Sequence, residues 1–315
     1  VSRERVFSLR AQGFNRISLG VQDFDADVQK AVNRIQPEAE TVAIMQAARD
    51  AGFRSISIDL IYGLPKQNLE TMTETLRKVI NASPDRIALY HYAHMPHLFK
   101  PQRRILDADM PDSATKLAML GLCIARLTAA GYVYIGMDHF AKPTDDLAVA
   151  QRQGRLHRNF QGYSTRAEAD LIACGVSAIS SVGAVYSQNE KTLDAYYEKL
   201  DEGVLPIARG IKLDTDDLLR RIIIQMLMCN FELSIASIEQ AHPVKFRSYF
   251  AAELDKLREL ARDGLLVIEE DWLTVTPKGR LLIRNICMVF DRHLAQARAN
   301  ATPDAPQPLR YSKTV

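Results

Sequence analysis

Ile58-Asp59-Leu60-Ile61-Tyr62-Gly63-Leu64-Pro65 is the stretch from which the fold is read. A short apolar run closed by Gly and Pro has the length and punctuation of a strand ending in a tight turn. Gly63 lets backbone approach a ligand closely, and Pro65 fixes the turn. The anomaly is Asp59, a carboxylate inside an otherwise apolar strand, whose charge needs a partner. A ribose diol, an ammonium group, or an Arg or Lys from a neighbouring strand would each serve.

On either side, Pro37–Ala51 and Leu69–Asn81 read as flanking helices, with Pro37 suited to a first helical turn. Ala11-Gln12-Gly13-Phe14, Asp50-Ala51-Gly52-Phe53 and Ala129-Ala130-Gly131-Tyr132 echo one another. In each, glycine closes a helix in the left-handed conformation and an aromatic residue opens a strand. Glu4–Gln12 and Ser113–Ala130, the latter capped by Ser113, complete the helices, and Arg16–Gly20, Arg54–Leu60, Arg86–Tyr90 and Tyr132–Met137 are the strands. This alternation predicts parallel βαβ units in a Rossmann-like sheet or a barrel. Polar residues follow each strand: Gln22 and Asp23, Asp59, His91 and His94, then Asp138 and His139. In (β/α) barrels such positions converge on one ligand site; loops are also polar because they are solvated, and for any single residue both readings stand. The first helix has no preceding strand, so an earlier part of the chain is expected.

From about Gly210 the pattern changes. Helices are expected over Asp214–Cys229, Ile235–Ala241 and Phe246–Asp263, then strands Leu265–Glu269 and Trp272–Val275, then a helix from Pro277 to about Ala297. Three helices followed by a hairpin is a winged-helix-like order. Domains are therefore drawn at 1–208 and 209–300, with an extended tail at 301–315.

The 315 residues are 47% hydrophobic and 25% charged, with 40 Lys+Arg against 38 Asp+Glu for a formal net charge of +2. So balanced a chain gives no electrostatic case for nucleic acid, and the winged-helix-like part is expected to pack or cover instead. No run is apolar and long enough for a membrane span, and no secretory leader is recognisable, so a cytoplasmic location is expected. Cys123, Cys174, Cys229 and Cys287 lie far apart in apolar surroundings and read as buried free thiols. His91, His94 and His97 form an H-x-x-H-x-x-H run, but in a loop around Pro96 they read as hydrogen-bonding residues, and no metal ligand is assigned. The small residues between Gly175 and Gly183 suit either a flat ring against backbone or a tightly packed buried strand.

Five strings agree in order with one family: Ile17-Ser18-Leu19-Gly20-Val21-Gln22-Asp23-Phe24, Ile58 through Gln67, Tyr92-Ala93-His94, Gly136-Met137-Asp138-His139-Phe140-Ala141, and His157-Arg158-Asn159-Phe160-Gln161-Gly162-Tyr163. Together they resemble the oxygen-independent coproporphyrinogen III oxidase (dehydrogenase) family of radical S-adenosylmethionine enzymes, and Pro277 through Met288 is similar to that family's C-terminal domain. The resemblance implies the C-terminal part of a partial (β/α)6 barrel followed by a mostly helical, winged-helix-like domain. It places Gln22, Arg34 and Asp59 as polar contacts to S-adenosylmethionine, Ala93 and Ile179 as residues lining that cofactor, and Gln161 near a second cofactor molecule. The implied reaction is oxidative decarboxylation of coproporphyrinogen III propionates to vinyl groups, started by a 5′-deoxyadenosyl radical, in haem biosynthesis. An electron donor serves the cluster, and a monomer is expected. The family's CxxxCxxC motif, which holds a [4Fe-4S] cluster, does not occur in this chain. The chain is thus expected to be an incomplete part of the enzyme and inactive by itself. Arg155, His157 and Arg158 are candidate propionate anchors. A haem-chaperone paralogue and a cluster-less, non-catalytic binding subunit are the alternative readings.

Overall fold

A computed structural model describes residues 1–167 and 169–299; the tail expected over 301–315 lies outside them. Contacts among the described residues divide the chain into two compact units, 1–149 and 150–299, so 150–208 groups with the C-terminal helices and not with the first strands.

In the first unit the order is α1 (Arg3–Ala11), β1 (Arg16–Gln22), α2 (Ala26–Ala31), α3 (Glu38–Asp50), β2 (Ser55–Tyr62), α4 (Leu69–Ala82), β3 (Arg86–His91), α5 (Ser113–Ala129), β4 (Val133–Gly136) and β5 (His139–Ala141). A 3₁₀ turn at Lys100–Arg104 stands between β3 and α5. The expected helices and first three strands form, with small differences at their ends. Pro37 is the N-cap of α3 and does not enter its first turn. Ser113 is likewise inside α5, because the carboxylate of Asp112 is the group that accepts from the Thr115 amide.

Strands β1, β2 and β3 pair in parallel, whereas β4 does not join β3. Gly136, at φ 141°, and Met137, at φ 48°, turn the chain back, and β5 inserts antiparallel between β3 and β4. The fourth strand expected next to β3 is therefore half of a hairpin. Along β2, residues 56, 58, 60 and 62 are buried and 57, 59 and 61 only half-buried. With period-2 alternation this puts Ile56, Ile58 and Leu60 against the helices, in a core with Val79, Met119 and Leu127. The other face carries Ser18, Gly20, Ser57, Asp59 and Ala88 in register. Purely parallel sheets are ordinarily covered on both faces by apolar packing. Here one face is polar and small, as befits the lining of a ligand site.

The division falls inside α6 (Asp146–Arg152), and the second unit continues with a hairpin β6 (His157–Asn159) and β7 (Gly162–Ser164), then β8 (Ile179–Val182), β9 (Val185–Asn189), α7 (Leu193–Asp201) and β10 (Ile207–Lys212). Strands β8 to β10 make one antiparallel sheet. No residue from Gly175 to Gly183 is fully buried, so the buried-strand reading of that run does not hold. After it come α8 (Thr215–Asn230), β11 (Glu232–Ser234), α9 (Ile235–Ala241), α10 (Phe246–Tyr249), α11 (Ala251–Arg262), β12 (Leu266–Ile268), β13 (Trp272–Val275), α12 (Pro277–Leu281), α13 (Ile283–Met288) and α14 (Arg292–Ala299). The winged-helix-like order is present with one addition, β11, which pairs antiparallel with β13. The long helix expected over Phe246–Asp263 breaks at Phe250, and the last helix is three short ones. Phe250 is fully buried against Phe246 and Phe290, at ring separations of 4.9 and 5.5 Å, and this packing takes it out of helical geometry at φ −104°, ψ 31°.

Candidate functional site

Parallel register aligns Gly20, Asp59, Ala88 and His139 as one rung across β1, β2, β3 and β5. Asp59 Oδ1 accepts from the Ser18 hydroxyl at 2.9 Å. Burial pushes its carboxyl above the ordinary range, against the lowering pull of that hydroxyl and of Arg34. Asp59 keeps acceptor capacity beyond the Ser18 bond and lies half-buried on the face of β2 opposite the helix-packed core.

A bulge between Gly20 and Gln22 ends the β1 register. Gln22 takes a left-handed conformation, φ 68°, an uncommon state for a residue with a Cβ, which aims its side chain out of the strand's alternation. Its Oε1 is buried without a hydrogen-bond partner. Arg34, just beyond α2, returns across Gly20 and donates to its carbonyl at 2.6 Å. A Cβ at Gly20 would stand 2.9 Å from Gln22 Nε2 and 3.0 Å from the Arg34 guanidinium, so any side chain there would push both of these groups from their present positions. Gln22 and Arg34 line a cleft of about 1020 Å³ together with Ile61, Leu64 and Tyr92. The Tyr92 hydroxyl is a second buried polar atom there without a partner, and burial raises its pKa. Buried polar atoms are ordinarily satisfied, so two orphans facing one cleft mark the place of a polar ligand.

Asp23, expected in the same ring, faces the other way. It is 1% exposed and accepts from Gln67 Nε2 at 2.5 Å, the Thr75 hydroxyl at 2.8 Å and the Asp25 amide at 2.6 Å. Desolvation raises its pKa in spite of those donors. Gln67 also accepts from the Leu64 amide at 2.9 Å and donates to the Ile61 carbonyl at 2.8 Å, tying the Gly63 turn to the end of β1. Two further glutamines act alike. Gln29 donates to the Asp23 and Gln36 carbonyls, fixing the loop of Arg34. Gln102 donates to the Ala93 carbonyl at 3.0 Å and accepts from the Met95 amide at 2.5 Å. None of the three was legible in the sequence, since glutamine is ordinarily a surface residue and their partners are backbone atoms of other segments.

The other expected residues are more scattered. Ala93 is half-buried at the start of the loop after β3. The His91 imidazole has a buried Nε2 without a partner and a pKa lowered by burial and Lys116, while His94 faces Asp107 at 3.4 Å. No group of three or more His, Cys, Asp or Glu able to hold a metal ion occurs among the described residues. Gln161 and Ile179 belong to the second unit. Gln161 is exposed in the β6–β7 turn, its amide donating to Asn159 Oδ1, and Ile179 opens β8 half-buried. Arg155 folds back onto Gln153, and Arg158 lies over the Tyr163 ring, 4.7 Å from its centroid. Cys174 is exposed, contrary to expectation, because it sits in the loop before β8; the other three thiols are buried and all four are free.

The polar atoms of the cleft, with Asp59 near enough to feel the charge of Arg34, fit S-adenosylmethionine. Asp59 can accept from ribose hydroxyls, Arg34 can pair a carboxylate, and the Gln22 and Tyr92 orphans can meet amino or hydroxyl groups. The cysteines do not fit a [4Fe-4S] cluster. Burial pushes the thiols of Cys123, Cys229 and Cys287 up to about 12, far from the thiolate that iron requires.

Residues 1–79 match the Radical SAM superfamily and residues 213–282 the HemN C-terminal domain. Oxygen-independent coproporphyrinogen III oxidase of Salmonella typhimurium is 54% identical over 288 residues, 91% of this chain and 63% of the relative. The chain thus spans less than two thirds of that relative. The protein of the same name from Thermostichus vulcanus is 52% identical over 91% of this chain and 89% of its own length. A solved structure, coproporphyrinogen III oxidase from Escherichia coli, described as a radical SAM enzyme, superposes with a TM-score of 0.91 at 52% identity, covering 93% of this chain and 68% of that one.

Proposed function

The chain belongs to the oxygen-independent coproporphyrinogen III oxidase family, and from that premise we propose that its first unit binds S-adenosylmethionine for the oxidative decarboxylation of coproporphyrinogen III to protoporphyrinogen IX. The observation that carries the reading is the pair of orphaned atoms, Gln22 Oε1 and the Tyr92 hydroxyl, in a cleft that Arg34 also lines. When bound, S-adenosylmethionine supplies the hydrogen-abstracting chemistry that the side chains lack. The part of this chain is recognition and orientation. Asp59 holds the ribose, Arg34 the methionyl carboxylate, and Gln22 reads the polar edge between them, with Ala93 lining the pocket. For Gln161 and Ile179, in the second unit, the support for a role as cofactor contacts is the family resemblance of the sequence around them. No CxxxCxxC motif for the family's [4Fe-4S] cluster lies within these 315 residues, and an electron donor for that cluster, a monomeric state and a cytoplasmic location complete the proposal.

Equilibrium dialysis of radiolabelled S-adenosylmethionine tests the reading without turnover. Saturable one-site binding that is lost in Asp59→Ala is the expected result. No binding, or equal binding by wild type and variant, overturns it.

A further inference from the structure

Beyond Gln22 and Arg34, the cleft is lined by Lys30, Lys100 and Arg104, and no carboxylate lines it. Lys30 is shared with Asp27 at 3.2 Å, both side chains being largely exposed. Lys100 and Arg104 are exposed and have no carboxylate partner among the described residues. An uncompensated set of cations around a concavity concentrates field into it and selects anions. With the sheet end of the cleft accounted for by cofactor recognition, the cations of the 3₁₀ turn have no assigned ligand.

That turn is held rigidly. Gln102, between the two cations, clasps Ala93 and Met95 through both ends of its amide, and Arg103 is turned away to donate to the Pro96 carbonyl at 3.0 Å. Lys100 and Arg104 stand four residues apart, about 8 Å along the 3₁₀ axis at roughly 2 Å per residue. Two cations so spaced match two separate carboxylates better than one, and the guanidinium fork of Arg104 suits a carboxylate face on.

We propose that Lys100 and Arg104 form an anion-binding rim that takes propionate carboxylates of the tetrapyrrole, those not lost in the reaction, and so presents a reacting propionate toward the Gln22 and Arg34 end of the cleft. This rests on the function proposed above. The rim displaces Arg155 and Arg158 as first choice, since the former is folded onto Gln153 and the latter onto Tyr163.

The test titrates the purified chain with coproporphyrin III, a redox-stable probe carrying the same propionates, and with its uncharged tetramethyl ester, following porphyrin fluorescence. S-adenosylmethionine affinity is measured in parallel by calorimetry. The double variant Lys100→Gln/Arg104→Gln is expected to bind coproporphyrin III about ten- to a hundredfold more weakly, the scale of losing one or two charge-assisted contacts at an exposed site. Its cofactor affinity stays unchanged, and the ester binds wild type no better than coproporphyrin III binds the variant. Arg77→Gln, an exposed control paired with Glu74, leaves both affinities intact. Coproporphyrin III binding that is equal in wild type and double variant, with the cofactor still bound, overturns the rim and leaves the function reading standing. A variant that loses cofactor affinity and keeps the porphyrin assigns the cations to the methionyl carboxylate and also overturns the rim. A wild-type chain that binds neither ligand overturns both readings.

Discussion

Replacing Gln67 by Ala removes a side chain that is 4% exposed and holds three partners at once. Its amide donates to the buried Asp23 carboxylate at 2.5 Å and to the Ile61 carbonyl, and it accepts from the Leu64 amide, a residue itself 2% exposed. Loss of a hydrogen bond to a charged buried group costs about 1.5–3 kcal/mol, and each neutral backbone group left unpaired about 1 kcal/mol, so the first unit is expected to lose about 3–5 kcal/mol. The deficit depends on pH, with a sign fixed by Asp23. Desolvation raises the Asp23 pKa above 3.8, so just above that value the folded state holds a proton that the unfolded state has released. Stability therefore falls as pH rises through the folded pKa, and above it the full cost of the buried charge is present. Gln67 offsets part of that cost only while Asp23 is ionised. Q67A thus shows its largest deficit at pH values above the folded-state pKa of Asp23, and the deficit shrinks as pH falls through that pKa. Hydrogen exchange of peptides covering residues 16–24 and 58–67, with urea titrations at several pH values, measures both effects. A loss under about 1 kcal/mol, or a deficit that does not change with pH, would refute the network as described.

Three further outcomes are expected. Gly279→Ala would put a Cβ 1.8 Å from the Leu265 carbonyl oxygen, which accepts from the Thr276 amide at 3.0 Å. Backbone must move, so the second unit should lose more than about 3 kcal/mol, read by the sole tryptophan, Trp272 in β13. Arg34→Ala should weaken S-adenosylmethionine binding at least about tenfold, and wild-type affinity should fall in acid as the raised Asp59 carboxyl takes up its proton and can accept fewer hydroxyl donors; calorimetry across pH reads both. Maleimide applied to the native chain should label Cys174 and spare Cys123, Cys229 and Cys287, whose burial keeps them as thiols; one adduct by intact mass, mapped to Cys174, is the expected result.

The features legible in the residues alone were local or repetitive. The helix-Gly-aromatic-strand echo marked the ends of α1, α3 and α5 and the starts of β1, β2 and β4, and the apolar patterning added α4 and β3, because glycine at a helix end and period-2 burial in a strand are properties of a few consecutive residues. The anomaly of Asp59 was equally legible, a charge in an apolar run. Tertiary packing settled whatever depends on partners distant in the chain. It sent Gln22 to the cleft and its neighbour Asp23 into the core, because a bulge and a left-handed residue at the end of β1 changed the direction of successive side chains. It turned β4 back at Gly136 and Met137, so that β5 occupied the place beside β3. It broke the helix at Phe250, where aromatic packing outweighed helical continuity. Lys100 and Arg104 were ordinary loop cations in the sequence. They became a rim only because Gln102 anchors their turn to Ala93 and Met95, bonds made across seven to nine residues by a side chain whose type carries no such signal.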